Sequence, residues 1–382
     1  MRNAPLTPTR HGTNHGVANW SDKKPAPADA YAVLALTVKP GIAHSGSLDH
    51  VAEPDAQRGA VLVRTLAVGI CGTDREILCG AYGRASPGHE RLILGHESLG
   101  EVQQAPSGCG LKSGDLVVGI VRRPDPVPCE ACRQGEWDMC RNGQYTEHGI
   151  KELDGFCAER FRSEPQYLVP IDPRLRDTGV LLEPTSVVAK AWDHIERIGQ
   201  RTRSWQARRA LVTGAGPVGL LAALLARQHG CELHVYDHNR DGLKQALVER
   251  LGGRYHCESL EAATALSPDV IIECTGASEV VAACISRNAA GGIVCLAGLS
   301  SGAHRIAYDF TALNRSMVLE NDVVFGSVNA NRRHYEAAAA ALVRADADWL
   351  RSLITRRVAL SQWQDALKRE SSDIKVVIDF TL

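Results

Sequence analysis

A thiol, an imidazole and two carboxylates in the first third of the chain have the types and spacing of a zinc site. Cys71 and Asp74 lie in one short run, and His96 and Glu97 are adjacent in a later one. Each alone would be unremarkable, but a thiolate, an imidazole and a carboxylate together are ligands of a catalytic zinc that keeps one position open. Asp74 is suited to accept the ring N–H of His96. We therefore predict a catalytic zinc held by Cys71, His96 and Glu97.

A second group of cysteines, Cys129, Cys132 and Cys140, lies in a stretch rich in proline, glycine and charge. Closely spaced cysteines in a reducing compartment usually bind zinc. A tetrahedral site needs a fourth ligand, and because no further cysteine lies near, Asp125 could supply an oxygen instead. The alternatives are a redox pair at Cys129 and Cys132, or a site that has lost its metal together with its first ligand. We favour a structural zinc.

A glycine-rich turn later in the chain is typical of a dinucleotide-binding site. It follows a predicted strand and opens a predicted helix. In such a turn the glycines permit the tight bend, the close approach of the pyrophosphate and the packing of helix on strand. The helix N-terminus then offers free N–H groups to the phosphates. The alternative is a turn that binds nothing. The predicted cofactor-binding residues of this turn are Gly214, Gly216, Pro217, Val218 and Gly219.

The residues after the next predicted strand bear on the choice between NAD and NADP. Asp237 ends that strand at the distance where an acidic residue binds the adenosine ribose and repels a 2′-phosphate. His238 and Arg240 follow at once. Arg240 could hold a 2′-phosphate instead, although a solvated arginine at a helix start is the commoner case. We therefore expect NAD to be favoured, with NADP as the alternative cofactor.

Short apolar runs divide the chain into two kinds of architecture. Residues 60–170 alternate β-type runs, such as 60–67 and 116–121, with loops rich in glycine and proline, which indicates a β-rich, barrel-like unit. From residue 209, strands alternate with helices, which implies a parallel doubly wound sheet. The strands predicted there lie at 210–212, 232–236, 269–274 and 291–297; a helix runs from the glycine turn through 228, and further helices lie at 241–251 and 279–287. A strand after 323, a helix at 334–343 and a closing strand at 375–380 follow.

Composition limits the functions that the chain can have. Its 382 residues are 44% hydrophobic and 23% charged, which is typical of a globular protein of two or three domains. The 43 basic and 44 acidic side chains leave a net charge of −1, which argues against nucleic-acid binding. The longest apolar run, Val218–Ala226, is far shorter than the roughly 20 residues that cross a membrane. Residues 1–30 lack the apolar core of a secretory signal, so reduced cysteines and a cytoplasmic location are expected.

These motifs together resemble the zinc-dependent medium-chain alcohol dehydrogenase superfamily, and within it the glucose dehydrogenase branch. The stretches that carry the resemblance are 69–74, 94–102, 129–140, 145–150, 182–184, the glycine turn and 326–331. The resemblance implies an α/β fold in which a GroES-like β-rich catalytic domain stands beside a doubly wound Rossmann coenzyme domain. The expected division is an N-terminal tail at 1–30, a catalytic domain at 31–190 completed by 330–382, and a coenzyme domain at 191–329.

The resemblance also implies roles for residues at the catalytic zinc. Cys71 and His96 match the family's zinc ligands, and Glu97 matches a ligand that binds directly or through water. Thr73 matches the hydroxyl that passes on the substrate proton. Glu183 matches a position near the zinc that carries a carboxylate or an amide, and it counts here as both a metal and a substrate residue.

Two further residues match positions that bind sugar hydroxyls, namely Glu147 and Asn329. Without the resemblance, Glu147 would be typical of a solvated carboxylate, Asn329 of a turn, and Glu183 with Pro184 of an extended surface pair. The chain departs from the branch in lacking the first structural-zinc cysteine and the arginines that follow the second coenzyme-domain strand in NADP-using members. It also carries Leu319 near the place of a sugar-contacting histidine.

The predicted activity is a zinc-assisted hydride transfer from a secondary or hemiacetal hydroxyl of a sugar or polyol to NAD(P). One alternative is a zinc-free enone or quinone reductase on the same scaffold, and another is a non-catalytic dinucleotide-binding protein. Neither alternative needs Cys71, His96 or Glu183. The expected partners are a small sugar or polyol and further copies of the chain in a dimer or tetramer, with no nucleic acid and no membrane.

Overall fold

The computed structural model describes residues 32–240, 242–300, 305–368 and 370–382, so the predicted tail at 1–30 lies outside the described residues. The strands of the first part are β1 (Ala32–Val38), β2 (Ser47–Ala52), β3 (Val61–Ile70), β4 (Leu92–Ile93), β5 (Glu97–Gln104), β6 (Leu116–Gly119), β7 (Arg122–Arg123), β8 (Thr146–His148), β9 (Glu152–Leu153), β10 (Arg160–Ser163) and β11 (Leu168–Pro170). Its helices are α1 (Gly72–Leu78) and α2 (Glu130–Arg133), with 3₁₀ turns at Ala56–Arg58, Trp137–Met139, Pro165–Tyr167, Pro173–Leu175 and Gly179–Leu181.

A helix of 18 residues, α3 (Leu182–Gly199), leads into the second part of the chain. The elements that follow it are β12 (Arg209–Thr213), α4 (Pro217–Gln228), β13 (Glu232–Tyr236), α5 (Gly242–Arg250), β14 (Arg254–His256), α6 (Leu260–Thr264), β15 (Val270–Glu273), α7 (Ser278–Ser286), β16 (Ile293–Leu296), α8 (Phe310–Glu320) and β17 (Val323–Gly326). The chain closes with α9 (Arg332–Arg344), α10 (Ala347–Leu353), β18 (Ile354–Ala359), a 3₁₀ turn at Leu360–Gln362, α11 (Trp363–Leu367) and β19 (Lys375–Asp379).

The main sheet of the first part joins strands from both ends of the described chain. Its order is β11-β6-β5-β3-β19-β18, and β10 also pairs with β3. β3 is apolar at nearly every position because it is buried along most of its length. β19 runs antiparallel to β3 with Val376 opposite Ile70. The end of the chain therefore lies beside the residue that precedes Cys71.

The second part of the chain forms a six-stranded parallel sheet in the order β14-β13-β12-β15-β16-β17. β13 and β14 extend the sheet on one side of β12, and β15 to β17 extend it on the other. All strands run in the same direction, but the order in which strands are added along the sheet therefore changes side between β12 and β15. Ligands of such sheets bind at the carboxyl ends of the strands where this change occurs. The glycine turn follows β12 at that edge.

A continuous apolar core connects the two parts, and α3 lies within it. Leu66 and Leu116 of the first part belong to the same buried cluster as Val212 of β12 and Trp192 of α3. The expected limit between domains at residue 190 falls inside this helix. Because α3 is buried against both units, it ties them together rather than separating them.

Predicted and observed elements agree best in the second part of the chain, where apolar strands alternate with helices. The strands and helices predicted between 210 and 297 lie within two residues of the observed ones. Elements with mixed or short patterns were not predicted, among them α3, β14, α8 and β18. The extended reading of Glu183 and Pro184 is wrong, because both are buried in the first turn of α3, where proline is tolerated. Within the described parts of the chain, no helix has the length and apolar character that crossing a membrane requires.

Candidate active site

The thiol of Cys71 is held by the start of α1. Cys71 precedes the helix, its sulfur accepts the Thr73 N–H at 3.2 Å, and Asp74 accepts the Cys71 N–H at 2.9 Å. This reciprocal arrangement is a capping box with a thiol in place of the usual hydroxyl. Thr73 lies in the same turn, and it is partly exposed. The local helix start thus orients both the predicted ligand and the predicted proton-relay hydroxyl.

His96, just before β5, meets this thiol. Its Nε2 lies 3.0 Å from Cys71 Sγ, and its Nδ1 lies 3.4 Å from Asp74 Oδ1. Both Nδ1 and Asp74 Oδ1 are buried and have no hydrogen-bonding partner among the described residues. A cation bound at Nε2 would leave the ring proton on Nδ1, facing that carboxylate. The donor set and the two unpartnered atoms therefore fit a zinc ion held by Cys71 and His96.

Glu97 completes the group but is already paired with a cation. One oxygen of its carboxylate lies within 4.8 Å of both the Cys71 sulfur and a His96 nitrogen. Lys375 Nζ donates to both Glu97 oxygens, at 2.7 and 2.6 Å, and the two side chains are only 3% and 1% exposed. Gly69 makes room for the carboxylate, because a Cβ there would lie 2.0 Å from Glu97 Oε2. Glu97 therefore lies beside the predicted ligands Cys71 and His96, and Lys375 balances its charge.

Lys375 is a site residue that the sequence did not reveal. It begins β19, far from Glu97 along the chain, and nothing in the apolar run around it marks it as a site residue. Burial alone would lower its pKa, but Glu97 raises it above its ordinary value. The register of β19 on β3 brings this ammonium group to the predicted zinc ligands, so only the tertiary structure could show it.

Glu183 lies near this group at the start of α3. Burial raises the pKa of its carboxyl to about 7; Glu97 adds to this effect, and His96 and Lys375 oppose it. Its carboxylate does not belong to the set of mutually close ligand atoms that Cys71, His96 and Glu97 form. Glu183 is thus a buried carboxyl near the predicted metal ligands, outside the set that they form.

The two predicted sugar-binding residues meet across the boundary between the sheets. Asn329, in the loop after β17, donates from Nδ2 to Glu147 Oε1 at 2.7 Å. Asn329 has a φ of +60°, and its Oδ1 accepts the N–H of Ala330 at 2.8 Å. Arg122, which sequence reasoning missed, donates to the same Glu147 oxygen at 3.0 and 2.9 Å. Glu147 is buried rather than solvated.

The second cysteine group forms a compact cluster of three thiols. The sulfur atoms of Cys129, Cys132 and Cys140 all lie within 4.8 Å of one another. The Arg141 N–H lowers the pKa of Cys129 to about 6, whereas burial raises the pKa of Cys132 to about 11. The carboxylate of Asp125 lies outside this cluster; its Oδ1 accepts the Val127 N–H at 2.8 Å, and its buried Oδ2 has no partner among the described residues.

The glycine turn after β12 has the shape that a dinucleotide needs. Gly214 has a φ of +91°, and a Cβ on Gly219 would lie 1.7 Å from the Gly214 carbonyl oxygen. Beside Gly216 there is open space, and Pro217 begins α4 there. Val218 lies in the first turn of the helix. The turn therefore leaves the helix N-terminus accessible to a phosphate.

Asp237 is more engaged than expected. Its carboxylate accepts the N–H groups of Ala215 at 2.6 Å and Asn239 at 2.8 Å, and Lys244 Nζ lies at 3.4 Å. It thereby braces the glycine turn, a role that the sequence pattern did not suggest. His238 is exposed, and Arg240 forms an exposed pair with Glu258 at 2.9 Å.

Comparisons with known proteins agree with this geometry. Residues 57–173 match the family model of the alcohol dehydrogenase GroES-like domain, and residues 176–380 match that of the glucose dehydrogenase C-terminus. A glucose 1-dehydrogenase of Methanocella arvoryzae is 39% identical over 357 residues, which cover 90% of this chain and 99% of the relative. The chain belongs to the zinc-dependent medium-chain alcohol dehydrogenase superfamily, in its glucose dehydrogenase branch.

Other relatives of this enzyme support the assignment. A glucose 1-dehydrogenase of Thermoproteus tenax is 41% identical over 350 residues, which cover 90% of this chain and 98% of the relative. The structure of Haloferax mediterranei glucose dehydrogenase in complex with NADP, zinc and gluconolactone has a TM-score of 0.84 and 31% identity, covering 91% of this chain and 99% of that chain. The predicted fold class, a GroES-like domain with a Rossmann domain, is confirmed. The enzyme is a zinc-dependent, NAD(P)-linked sugar dehydrogenase.

Proposed function

We propose that the enzyme oxidises an aldose at its anomeric carbon to the lactone and passes the hydride to NAD(P). The observation that carries the proposal is the hydrogen bond between Glu147 and Asn329, which builds a polar pair for hydroxyl groups in a chain that also holds the Cys71–His96 donors. The Haloferax relative is described with gluconolactone, the lactone of an aldose. A sugar with several hydroxyls needs such paired acceptors and donors.

The residues of this chain divide the chemistry among them. Zinc, when bound by Cys71 and His96, supplies Lewis-acid polarisation of the reacting hydroxyl. The Thr73 hydroxyl receives the substrate proton and passes it outward. The Glu147 carboxylate accepts a hydrogen bond from a sugar hydroxyl and so orients the sugar ring. The glycine turn holds the dinucleotide phosphates against the start of α4, which fixes the nicotinamide relative to the substrate.

A panel of aldoses and polyols with NAD and NADP, followed at 340 nm on zinc-loaded enzyme, tests this function. We expect an aldose to give the highest kcat/KM and a lactone to be the product. A clear preference for polyols, or turnover of enones by metal-free enzyme, would refute the proposal. Zinc analysis of the purified protein separates the rivals, because the zinc-free reductase and the non-catalytic protein need none.

We propose that the preference for NAD over NADP is weak. Lys244 and two backbone N–H groups already offset the charge of Asp237, so its repulsion of a 2′-phosphate is reduced. Arg240 and His238 lie exposed beside it, where they can contact such a phosphate. The kcat/KM ratio for the two cofactors measures this preference.

We also propose that copies of the chain associate through α8 and β17. α8 has no buried residue in the described chain, and Phe310, Val318 and Leu319 expose most of their apolar surface on it. β17 is the edge strand of the parallel sheet, so its outer hydrogen-bonding groups can pair with a second copy. Light scattering should show a dimer or tetramer, and Val318→Lys combined with Leu319→Lys should yield monomers. A monomeric wild type would refute this assembly.

The reduced state of the cysteines supports a cytoplasmic location, which we propose on that ground. All 12 cysteines of the chain lie among the described residues, and all are free thiols. Free thiols in this number are typical of a reducing compartment. Cell fractionation with an antibody against the enzyme tests the location.

A further inference from the structure

We propose that Asp138 is a positioning residue that fixes the sugar-binding pair Glu147 and Asn329, so that the cysteine loop (residues 125–143) controls sugar affinity as well as stability. This inference rests on the function proposed above. Asp138 lies between Cys132 and Cys140, in the 3₁₀ turn Trp137–Met139.

The carboxylate of Asp138 connects the cysteine loop to two elements of the second part of the chain. Lys190 Nζ, from α3, lies 2.9 Å from Asp138 Oδ2. Asn331, which precedes α9, donates from Nδ2 to Asp138 Oδ1 at 2.7 Å. Asp138 and Lys190 are both nearly inaccessible, at 5% and 2% exposure. The loop is therefore anchored by a buried ion pair rather than by surface contacts.

Lys190 connects this ion pair to the loop that contains Asn329. Its Nζ also donates to the Val328 carbonyl oxygen at 3.0 Å, next to Asn329. Asn329 itself has a left-handed backbone, which asparagine adopts more readily than most non-glycine residues. Lys190 on one side and Asn331 on the other thus fix the loop that presents the Asn329 amide to Glu147.

Hydrogen bonds from Arg122 connect the backbone carbonyl of Asp138 to the carboxylate of Glu147. Arg122 donates from one NH group to the Asp138 carbonyl oxygen at 3.2 Å and from two other nitrogens to Glu147 Oε1. With the Asn329 amide, three donors converge on Oε1. Among the described residues none donates to Glu147 Oε2, so that oxygen is the acceptor presented to a ligand. Asp138 therefore supports both members of the sugar-binding pair.

The four charged side chains of this network neutralise one another as a group. Asp138 and Glu147 are negative, Lys190 and Arg122 are positive, and all four side chains are buried. The Lys190 ammonium at 2.9 Å and the Asn331 amide at 2.7 Å stabilise the charged form of the Asp138 carboxylate. Loss of that charge leaves the Lys190 ammonium buried without an anion. We then expect the Lys190 side chain to move and to break its hydrogen bond with the Val328 carbonyl oxygen.

Steady-state kinetics of Asp138→Asn tests the inference, because the amide keeps the size and the backbone carbonyl. We expect the KM for the aldose to rise about tenfold, the equivalent of roughly 1.4 kcal/mol, while kcat and the KM for NAD(P) change little. The matched control is Asp379→Asn, which changes another buried carboxylate, paired with Arg357 at 2.9 Å, and leaves Lys190, Arg122 and Asn331 untouched. This control should leave the sugar KM unchanged.

A second variant keeps the test decisive if Asp138→Asn folds poorly. Asp138→Asn combined with Lys190→Gln removes both charges, so the double variant should fold while its sugar KM stays raised. The inference is overturned if folded variants keep the wild-type sugar KM, or if Asp379→Asn raises it equally. A wild type that turns over no aldose refutes the proposed function itself, which is a different result from an aldose dehydrogenase indifferent to Asp138→Asn.

Discussion

The two thiol clusters of this enzyme differ in what surrounds them. At Cys71 and His96 the donors are of mixed type, and buried partners stand behind them, namely Asp74 and Lys375. In the cysteine loop the donors are three sulfurs, and the groups that face Cys129 are backbone N–H groups and the other thiols. A mixed set with an open position suits catalysis, whereas a sulfur set suits a structural metal. The supporting residues thus add a second difference between the two clusters, beside the donor types that the sequence already shows.

The largest expected effect is the loss of turnover at the first cluster. Cys71→Ser or His96→Ala should lower kcat about a thousandfold or more, because the lost ligand removes several kcal/mol of charge stabilisation in the transition state. NADH binding, measured by fluorescence, should stay intact, since the glycine turn lies in the other sheet system. Cys79→Ser is the control, because Cys79 is an exposed thiol at the end of α1. Near-normal turnover in both site variants would show that Cys71 and His96 are not ligands of a catalytic zinc.

The next effect concerns the partner behind the first cluster. Lys375→Met leaves the Glu97 carboxylate buried without its cation, which should lower the free energy of unfolding by about 3–5 kcal/mol. Glu97→Gln in the same chain should recover much of this loss, because no unpaired charge remains. Urea denaturation of the single and double variants measures both values. Equal stability of wild type and Lys375→Met would show that the pair is not required.

The second cluster should respond in stability rather than in chemistry. Cys132→Ser should lower zinc content and also the melting temperature, at roughly 2–4 °C per kcal/mol for a chain of this kind. The folded variant should keep its kcat, with a raised sugar KM if the loop supports Glu147. Cys109→Ser, a thiol outside both clusters, is the control for differential scanning calorimetry and metal analysis. Loss of kcat without loss of stability would contradict the structural role.

Asp237 is another buried carboxylate, and neighbouring groups partly offset its charge. Asp237→Ala should shift the kcat/KM ratio toward NADP by about tenfold, the equivalent of roughly 1.4 kcal/mol, because the remaining repulsion of the 2′-phosphate is lost. Lys244→Met should shift the ratio the other way, since it removes a cation that offsets the carboxylate. A wild type that already prefers NADP strongly would show that Arg240 dominates this loop.

A further effect is the pH dependence of the contacts that His334 makes with Asp193 and the cysteine loop. His334, which lies 3.3 Å from Asp193 and 3.9 Å from Asp138, has a pKa lowered to about 4 by burial, against the opposing influence of Asp193. The unfolded chain binds a proton at its ordinary pKa of about 6.5. Stability should therefore fall as the pH drops from about 6.5 to 4. His334→Gln should flatten this part of the urea-denaturation profile, and an unchanged slope would assign the dependence to other groups.

The coenzyme domain could be read from the sequence because its strands are buried on both faces. β12 and β15 are short continuous apolar runs, and the glycine turn between β12 and α4 has geometric requirements that few residues meet. α8 escaped prediction because it buries no residue and so has no apolar stripe to reveal it. α3 escaped because Glu183 and Pro184 open it with residues more typical of a loop.

The candidate site was only partly readable for a related reason. Residue types and spacing indicate donors such as Cys71 and His96, because a metal demands particular atoms. Charges that neutralise other charges leave no such pattern, since any cation placed near Glu97 or Glu147 would serve. Lys375, Arg122 and Lys190 belong to this second kind.

The sequence by itself determined the chemistry that this protein can perform: thiol and imidazole donors, a glycine turn for a dinucleotide, and a three-cysteine loop. Those features are local, so their spacing along the chain carries them. The tertiary structure alone decided how the charges are balanced. Strand register brings Lys375 to Glu97, and the packing of α3 brings Lys190 to Asp138. The physical reason is that a buried charge needs an opposite charge in space, wherever along the chain that charge lies.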